Sequence, residues 1–270
     1  MADRIIAKRK SMFILYLICG LFAGLIIGFS LNYNRTVYIP NHTGTNWKGY
    51  KSGSLEINVL TEPENRSSHG TASLHSGINN HYTANDLVIP DVIRLKNKLY
   101  DLVQIDENAF YIGDDGYNLA LSGSLTIGNN VQTIGSRAFA SCKNLNKELI
   151  INDKLTQIAS YAFWYCNFNN SNFTIGKNIN VGDIAFLGND FPQLTFCENI
   201  VIGNLAFGLS SYLGEIICDG WSSLPTDWGT DIFTLSKANG YVRSINSNLS
   251  STAVLEFLQT HGLSTTWQAA

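Results

Sequence analysis

The residues best placed for chemistry in this 270-residue chain are its thiols. Cys142 and Cys166 each stand three positions after the phenylalanine of an Ala-Phe pair, and Cys197 and Cys218 each close a short apolar run. Matched positions stacked in successive layers lie about 5 Å apart, within the Cα separation a disulfide spans. Two chemistries are open. Cys142–Cys166 and Cys197–Cys218 pair as disulfides, which export would permit. Alternatively all four stay free as small apolar core residues, since parallel side chains suit the disulfide torsion poorly. The histidines are His42, His69, His75, His81 and His261, three of them six residues apart in a Ser/Asn-rich stretch. Metal sites use shorter spacings and bring in cysteine or carboxylates, so these read as solvated loop residues. No glycine-rich phosphate loop, nucleophile elbow or metalloprotease helix is present. The acidic residues are scattered, with no pair at a matched position. The sequence therefore points to no catalytic residue, metal or cofactor. The enzymatic alternative is a hydrolase or other enzyme hidden in residues 36–86, which a deep pocket holding two carboxylates or a His pair would reveal.

The elements that carry the cysteines form an internal repeat. Ala-Phe pairs end at Phe110, Phe139, Phe163, Phe186 and Phe207, at intervals of 29, 24, 23 and 21 residues. Five residues before each Phe stand Ile105, Ile134, Ile158, Val181 and Ile202, followed by Asp106, Gly135, Ala159, Gly182 and Gly203. A degenerate sixth copy runs from Trp228-Gly229 to Ile232-Phe233. A second register lies between the pairs. Leu125-Thr126-Ile127 aligns with Leu149-Ile150-Ile151, Phe173-Thr174-Ile175, Leu194-Thr195-Phe196 and Glu215-Ile216-Ile217, which are short alternating runs of strand type. Turns such as Gly128-Asn129-Asn130 and Gly176-Lys177-Asn178 tolerate positive φ. One unit cannot bury its own apolar side, so the units must stack Ile on Ile and Phe on Phe. Five or six coils at about 4.8 Å per strand step span about 25–30 Å.

The unit resembles the BspA-type leucine-rich repeat. Phe139–Cys142, Phe163–Cys166 and the run Ala138-Phe139-Ala140-Ser141-Cys142-Lys143-Asn144-Leu145 are similar to that family's Ile-Gly-x-x-Ala-Phe-x-x-Cys-x-x-Leu pattern of about 23 residues. The resemblance covers about residues 87–235. It implies a β-rich leucine-rich-repeat solenoid on a cell-surface protein of bacteria, mycoplasmas included, or of parasitic protists, with adhesion and host-protein binding as the associated activity. The C-terminal layout is similar to that of mycoplasma-like members. Asn189 and Ser210 replace the repeat cysteine and the later coils shorten, so irregular copies are expected there. The motif is a scaffold, and no functional residue carries over from it.

Composition agrees with a turn-rich β protein: 14% of residues are charged, against about 25% in typical soluble domains. Residues 1–10 form a basic tail with Arg4, Lys8, Arg9 and Lys10, while the remainder is net acidic without a basic patch, which argues against nucleic acid as a partner. Ser11 to Leu31 holds no charge and matches the roughly 20 residues of a membrane-spanning helix. The basic tail predicts a cytoplasmic N-terminus and an extracellular remainder on the cell membrane. An uncleaved anchor, a signal peptide cut after Gly28-Phe29-Ser30 and a lipoprotein signal at Cys19 are the three readings, and all export residues 32–270.

Residues 32–86 read as a stalk, low in complexity around Glu62–Gly77, and an N-terminal cap. Leu87–Pro90 and Leu99–Ile105 read as a hairpin feeding the array over 87–235. Residues 236–270 read as a C-terminal cap, with a helix over 251–261 whose Val254, Leu255 and Leu258 cover the last coil together with Trp221, Trp228 and Trp267. Leucine-rich-repeat arrays bind on the side their strands line. The outward row there is Thr126, Ile150, Thr174, Thr195 and Ile216, the candidate contact for a protein partner such as a host surface or extracellular-matrix protein. The functional expectation is a membrane-anchored surface protein for adhesion or protein binding, and its alternative is a structural envelope protein without a specific ligand.

Overall fold

A computed structural model describes residues 35–39, 50–52, 55–76, 83–95, 97–113, 117–169, 172–236 and 239–270. They fall in one unit, Asn34–Ala270. The segment 11–31, the tail before it, Cys19, His42 and His81 lie outside the described residues. Among the described residues no helix is long and apolar enough to cross a membrane.

Each coil has three sides. On the first, Lys98–Ile105, Thr133–Ile134, Gln157–Ile158, Asn180–Val181 and Val201–Ile202 pair in parallel, with Ile105, Ile134, Ile158, Val181 and Ile202 in one inward column. All five are fully buried. On the second side Thr83–Val88, Leu121–Thr126 and Leu149–Ile150 pair in parallel. A separate sheet continues that side with Phe173–Ile175, Gln193–Phe196, Glu215–Asp219, Tyr241–Ile245 and Gln268–Ala269. The third side is made by the Ala-Phe bends.

The bends have their own ladder. The N–H groups of Arg137, Phe139 and Ser141 donate to the carbonyls of Ser160, Ala162 and Trp164 in the next coil. Tyr161, Phe163 and Tyr165 repeat this onto Asp183, Ala185 and Leu187, and Ile184, Phe186 and Gly188 onto Asn204, Ala206 and Gly208. Inside the bends the six rings from Phe110 to Phe233 stack, with centroids 4.9, 5.3, 5.2, 5.1 and 6.4 Å apart. Each stacked pair adds about 0.5–1.5 kcal/mol beyond its burial. The small residue after the inward Ile is a matter of space. A Cβ on Gly182 would lie 2.5 Å from the backbone nitrogen of Ser160 in the preceding coil.

The N-terminal elements differ from the sequence reading in two respects. The stretch read as low complexity contains the strand Gly70–Ser76, which pairs with Leu55–Thr61 and with Lys98–Ile105 and so extends the first side. Ala72 and Leu74 alternate into the core, a period-2 signal hidden among serines and histidines. The hairpin before the first bend joins Val92–Leu95 to Lys98–Ile105. Leu87 and Val88 instead pair with Leu125 and Thr126 as the first layer of the second side. Asp86 bulges this strand at φ 54, its carboxylate accepting from the backbone N–H and hydroxyl of Ser124. The turn Gly128-Asn129-Asn130 has no positive φ, whereas Asn178 and Asn199 do.

At the C-terminal end the helix spans Ser251–Thr260, with the Ser250 hydroxyl capping the Ala253 N–H. Val254 and Leu258 are buried. Phe257 packs against Trp221 and Trp228, and Gly262, at φ 92, follows the helix.

Candidate interaction faces

The strand row changes character along its length. Thr126 is half-buried, Ile150 is 45% exposed and Thr174 is exposed, but Thr195 is 9% exposed and Ile216 is fully buried. The last expectation is therefore corrected. Leu194 pairs with Ile216, Thr195 with Ile217 and Phe196 with Cys218, one residue away from the sequence alignment. A one-residue slip turns every side chain to the opposite face. Ile217, 7% exposed, continues the row, and Arg243 follows it. The Arg243–Glu215 ion pair and the Gln193–Glu215 hydrogen bond make this end polar. Ile150 and Thr174 belong to different sheets, so the row forms no continuous apolar strip.

The same slip removes one disulfide. Cys197 is part-exposed and Cys218 is buried on the opposite face. All four cysteines from Cys142 onward are free thiols, so the Cys142–Cys166 pair is also absent. Each of those two thiols points along the axis at a backbone carbonyl: Cys142 Sγ to Phe110 O at 3.8 Å, and Cys166 Sγ to Phe139 O at 3.0 Å. Burial pushes the Cys142, Cys166 and Cys218 thiols up, well away from thiolate chemistry. Burial raises Cys197 as well, with Asp219 adding to it. The replacements keep the ladder going. Asn189 Nδ2 donates to Phe163 O at 2.8 Å while its Oδ1 accepts from the Asn167 and Phe168 N–H groups, and Ser236 Oγ donates to Phe207 O. At the matched position of the fifth bend the Ser210 hydroxyl is buried without a partner. The later coils are thus regular, and a single hydroxyl departs from the pattern.

His69 and His75 sit beside and on a strand, not in a loop. His69 Nδ1 lies 2.8 Å from Asp101 and His75 Nδ1 3.1 Å from Asp106. Asp106 also accepts from Asn58, Ser73 and Gln104, in an open hollow at the start of the array. Ser73 and His75 both turn to this carboxylate, so the hydroxyl is not paired with a base and the group serves as a junction. No group of metal-binding side chains occurs among the described residues.

The third side was not singled out by sequence reasoning. Two positions in each bend adopt positive φ: two residues before the Phe, and, from the second bend onward, two after it. They hold Asn108 alone in the first bend, then Arg137 and Ser141, Tyr161 and Tyr165, Ile184 and Gly188, Leu205 and Leu209, and Asp231 and Leu235. Elsewhere among the described residues positive φ falls to Asp86, Asn167, Asn178, Asn199, Asn246 or glycine. A bulky side chain in the left-handed region costs about 1–2 kcal/mol. Apart from Ser141, which is buried, these residues face outward. Leu235 is 77% exposed, while Tyr161, Trp164, Tyr165, Leu187, Leu205 and Leu209 are half-buried. Tyr161 meets Trp164 edge-on at 5.9 Å, and Trp164 meets Tyr165 at 5.2 Å. The Tyr165 ring lies against Gly188 and Leu187 against Gly208, where a Cβ would collide with them. Arg137 sits 5.0 Å from the Tyr161 centroid, and Lys143 Nζ sits 3.4 Å from the Tyr117 centroid and 6.0 Å from that of Tyr165.

Against known families, residues 103–236 match the BspA type leucine-rich repeat region in six copies. The solenoid is a BspA-type leucine-rich-repeat region. Among solved structures, the pneumococcal vaccine antigen PcpA is similar to 72% of this chain at 19% identity and TM-score 0.52. The chain spans about half of PcpA, 48% of its length. Leucine-rich repeat proteins from Bacteroides capillosus (20% identity, TM-score 0.38, 55% of this chain and 99% of that one) and Bacteroides ovatus (17%, 0.39, 68% and 57%) are more distant in structure. No curated protein matches the chain in sequence. The likeness to PcpA supports the fold, and the leucine-rich-repeat assignment places the chain among scaffolds that typically bind rather than catalyse.

Proposed function

We propose that this chain is a cell-surface protein whose BspA-type solenoid binds another protein in adhesion, with segment 11–31 as its membrane anchor and residues 32–270 outside the cell. The observation that carries the binding reading is the division of side chains within each coil. The repeated Ile, Ala and Phe are consumed in stacking. The outward side chains vary from coil to coil, and on the bend side they form a contiguous apolar and aromatic surface of the kind that marks an interaction site. A purely structural envelope protein needs the stacking alone. The anchor reading rests on the uncharged run 11–31 and the basic cluster before it.

Two measurements test this. Protease treatment of intact cells should remove residues beyond 31 while leaving the N-terminus protected. The full-length chain in detergent should bind saturably to at least one member of an immobilised panel of extracellular-matrix and serum proteins. Protection of the solenoid from protease would overturn the orientation. A folded chain that binds nothing on the panel or on host cells would leave the structural reading in its place.

A further inference from the structure

The bend side says more about the partner, and what it says rests on the protein-binding reading above. We propose that the bends form a docking face for an extended, acidic segment of another protein that also carries apolar side chains. Tyr161, Trp164, Tyr165, Leu187, Leu209 and Leu235 make the apolar strip, and Arg137 and Lys143 make its charged end.

Three observations lead there. Large side chains occupy left-handed backbone positions that this chain elsewhere fills with Asp, Asn or Gly. Folding does not ask for Leu235, which is 77% exposed and buries little of its side chain. Something other than stacking accounts for the residue type. The strip also runs from the Tyr161 coil to the Gly208 coil, through Tyr161–Trp164–Tyr165, the Tyr165 ring over Gly188 and Leu187 over Gly208. Its composition of Trp, Tyr and Arg is that of interface hot spots. The charge at the Arg137 end is complementary to an acid, while exposed Asp183 and Asp231 lie in later bends. Lys98, Lys147, Lys177 and Arg243 are ion-paired with carboxylates. Among the described residues Arg137 and Lys143 are not, nor are Arg66, Arg94 and Lys154, but Arg137 and Lys143 each lie over a tyrosine ring. In a chain of net charge −3 they are cations left available beside an aromatic surface. A carboxylate meeting them there forms charge-assisted hydrogen bonds in a partly desolvated place.

The size fits an extended segment. From the Arg137 coil to the Leu235 coil there are four steps of about 4.8 Å, so about 19 Å, the reach of about six extended residues. Two cations in that length are too few for tracking a nucleic-acid backbone, where each phosphate contact is one cation.

The test is panning of a random linear peptide library on the immobilised full-length chain, in parallel with Trp164→Ala/Leu209→Ser, Arg137→Glu/Lys143→Glu and the strand-side variant Ile150→Glu. The enriched peptides should combine Asp or Glu with Leu, Phe or Tyr. They should bind the Trp164/Leu209 variant at least tenfold more weakly and the Ile150 variant unchanged. The Arg137/Lys143 reversal should switch enrichment to basic peptides, a gain that misfolding does not produce. Absence of enrichment, enrichment without acidic bias, or peptides lost on Ile150→Glu and kept on the bend variants would overturn the docking face. Binding of phosphatidylserine vesicles by the bend residues without peptide enrichment would overturn it as well. Panel binding that survives all bend variants would sink this face alone and leave the adhesion reading standing, whereas a chain with no protein ligand at all would end both.

Discussion

The strand sides and the bend side of this solenoid obey opposite rules. On the strand sides residue type follows backbone. Ile, Val and Thr fill extended positions, and the positive φ of the bulge falls on Asp86, whose carboxylate is bonded to Ser124 and Lys147. On the bend side residue type goes against backbone, with Tyr, Ile and Leu held left-handed at the surface. The contrast separates what the fold requires from what it carries. A strand side can be understood from stability, and the bend side only in its inward rings and backbone ladder.

The contrast can be broken or sharpened by experiment. The largest difference concerns thiol access. In native chain at pH 8 with Cys19 set aside, alkylation should reach Cys197 first, while Cys142, Cys166 and Cys218 react only through unfolding, slower by on the order of a thousandfold. Intact mass after alkylation of denatured, unreduced chain should show all four modified; a missing pair would restore the disulfides. Next comes Phe163→Ala, which interrupts the ring stack and should cost about 3–5 kcal/mol in urea unfolding. Asn189→Ala should cost about 3 kcal/mol by stranding the buried groups it bonds, while Ser210→Ala at the matched position should cost nothing measurable. Equal effects at the two sites would remove the carbonyl ladder from the account. Leu235→Asn should stabilise the chain by about 1 kcal/mol, since it relieves the left-handed backbone and gives up little burial. A loss of stability there would mean that the bend residues serve the fold after all. The smallest effect is on the strand side. The Ser124 N–H, then Lys147, hold the Asp86 carboxyl below its ordinary value. Its contribution is present above the unfolded value of about 3.9 and lost as the pH falls through the lower folded one. Asp86→Asn should therefore reduce thermal stability slightly at pH 7, with the difference closing below pH 4.

Much of the first two sides was legible in the sequence, because inward Ile, Ala and Phe recur at fixed offsets and burial at those positions is strict. The slip at Ile216 was not. Glu215–Cys218 can be aligned by its cysteine or by its apolar residues, and only pairing to Gln193–Phe196 decides between them. The strand Gly70–Ser76 was obscured because His, Ser and Thr alternate with its Ala72 and Leu74, and those types read as loop. The bend face left no trace for a different reason. Left-handed backbone is read from Gly and Asn, and here Tyr, Ile and Leu stand in those places. Composition could have raised the question only through the aromatic run Tyr161, Trp164 and Tyr165.

The bend ladder has a consequence for length. Each coil offers the same N–H groups forward and the same carbonyls backward, so successive interfaces between the caps are interchangeable. A copy of residues 143–166 inserted after Cys166 would find a matching partner above and below. The protein would grow by about 4.8 Å without any new kind of contact. The length of such a chain can then change by whole coils, leaving both caps untouched.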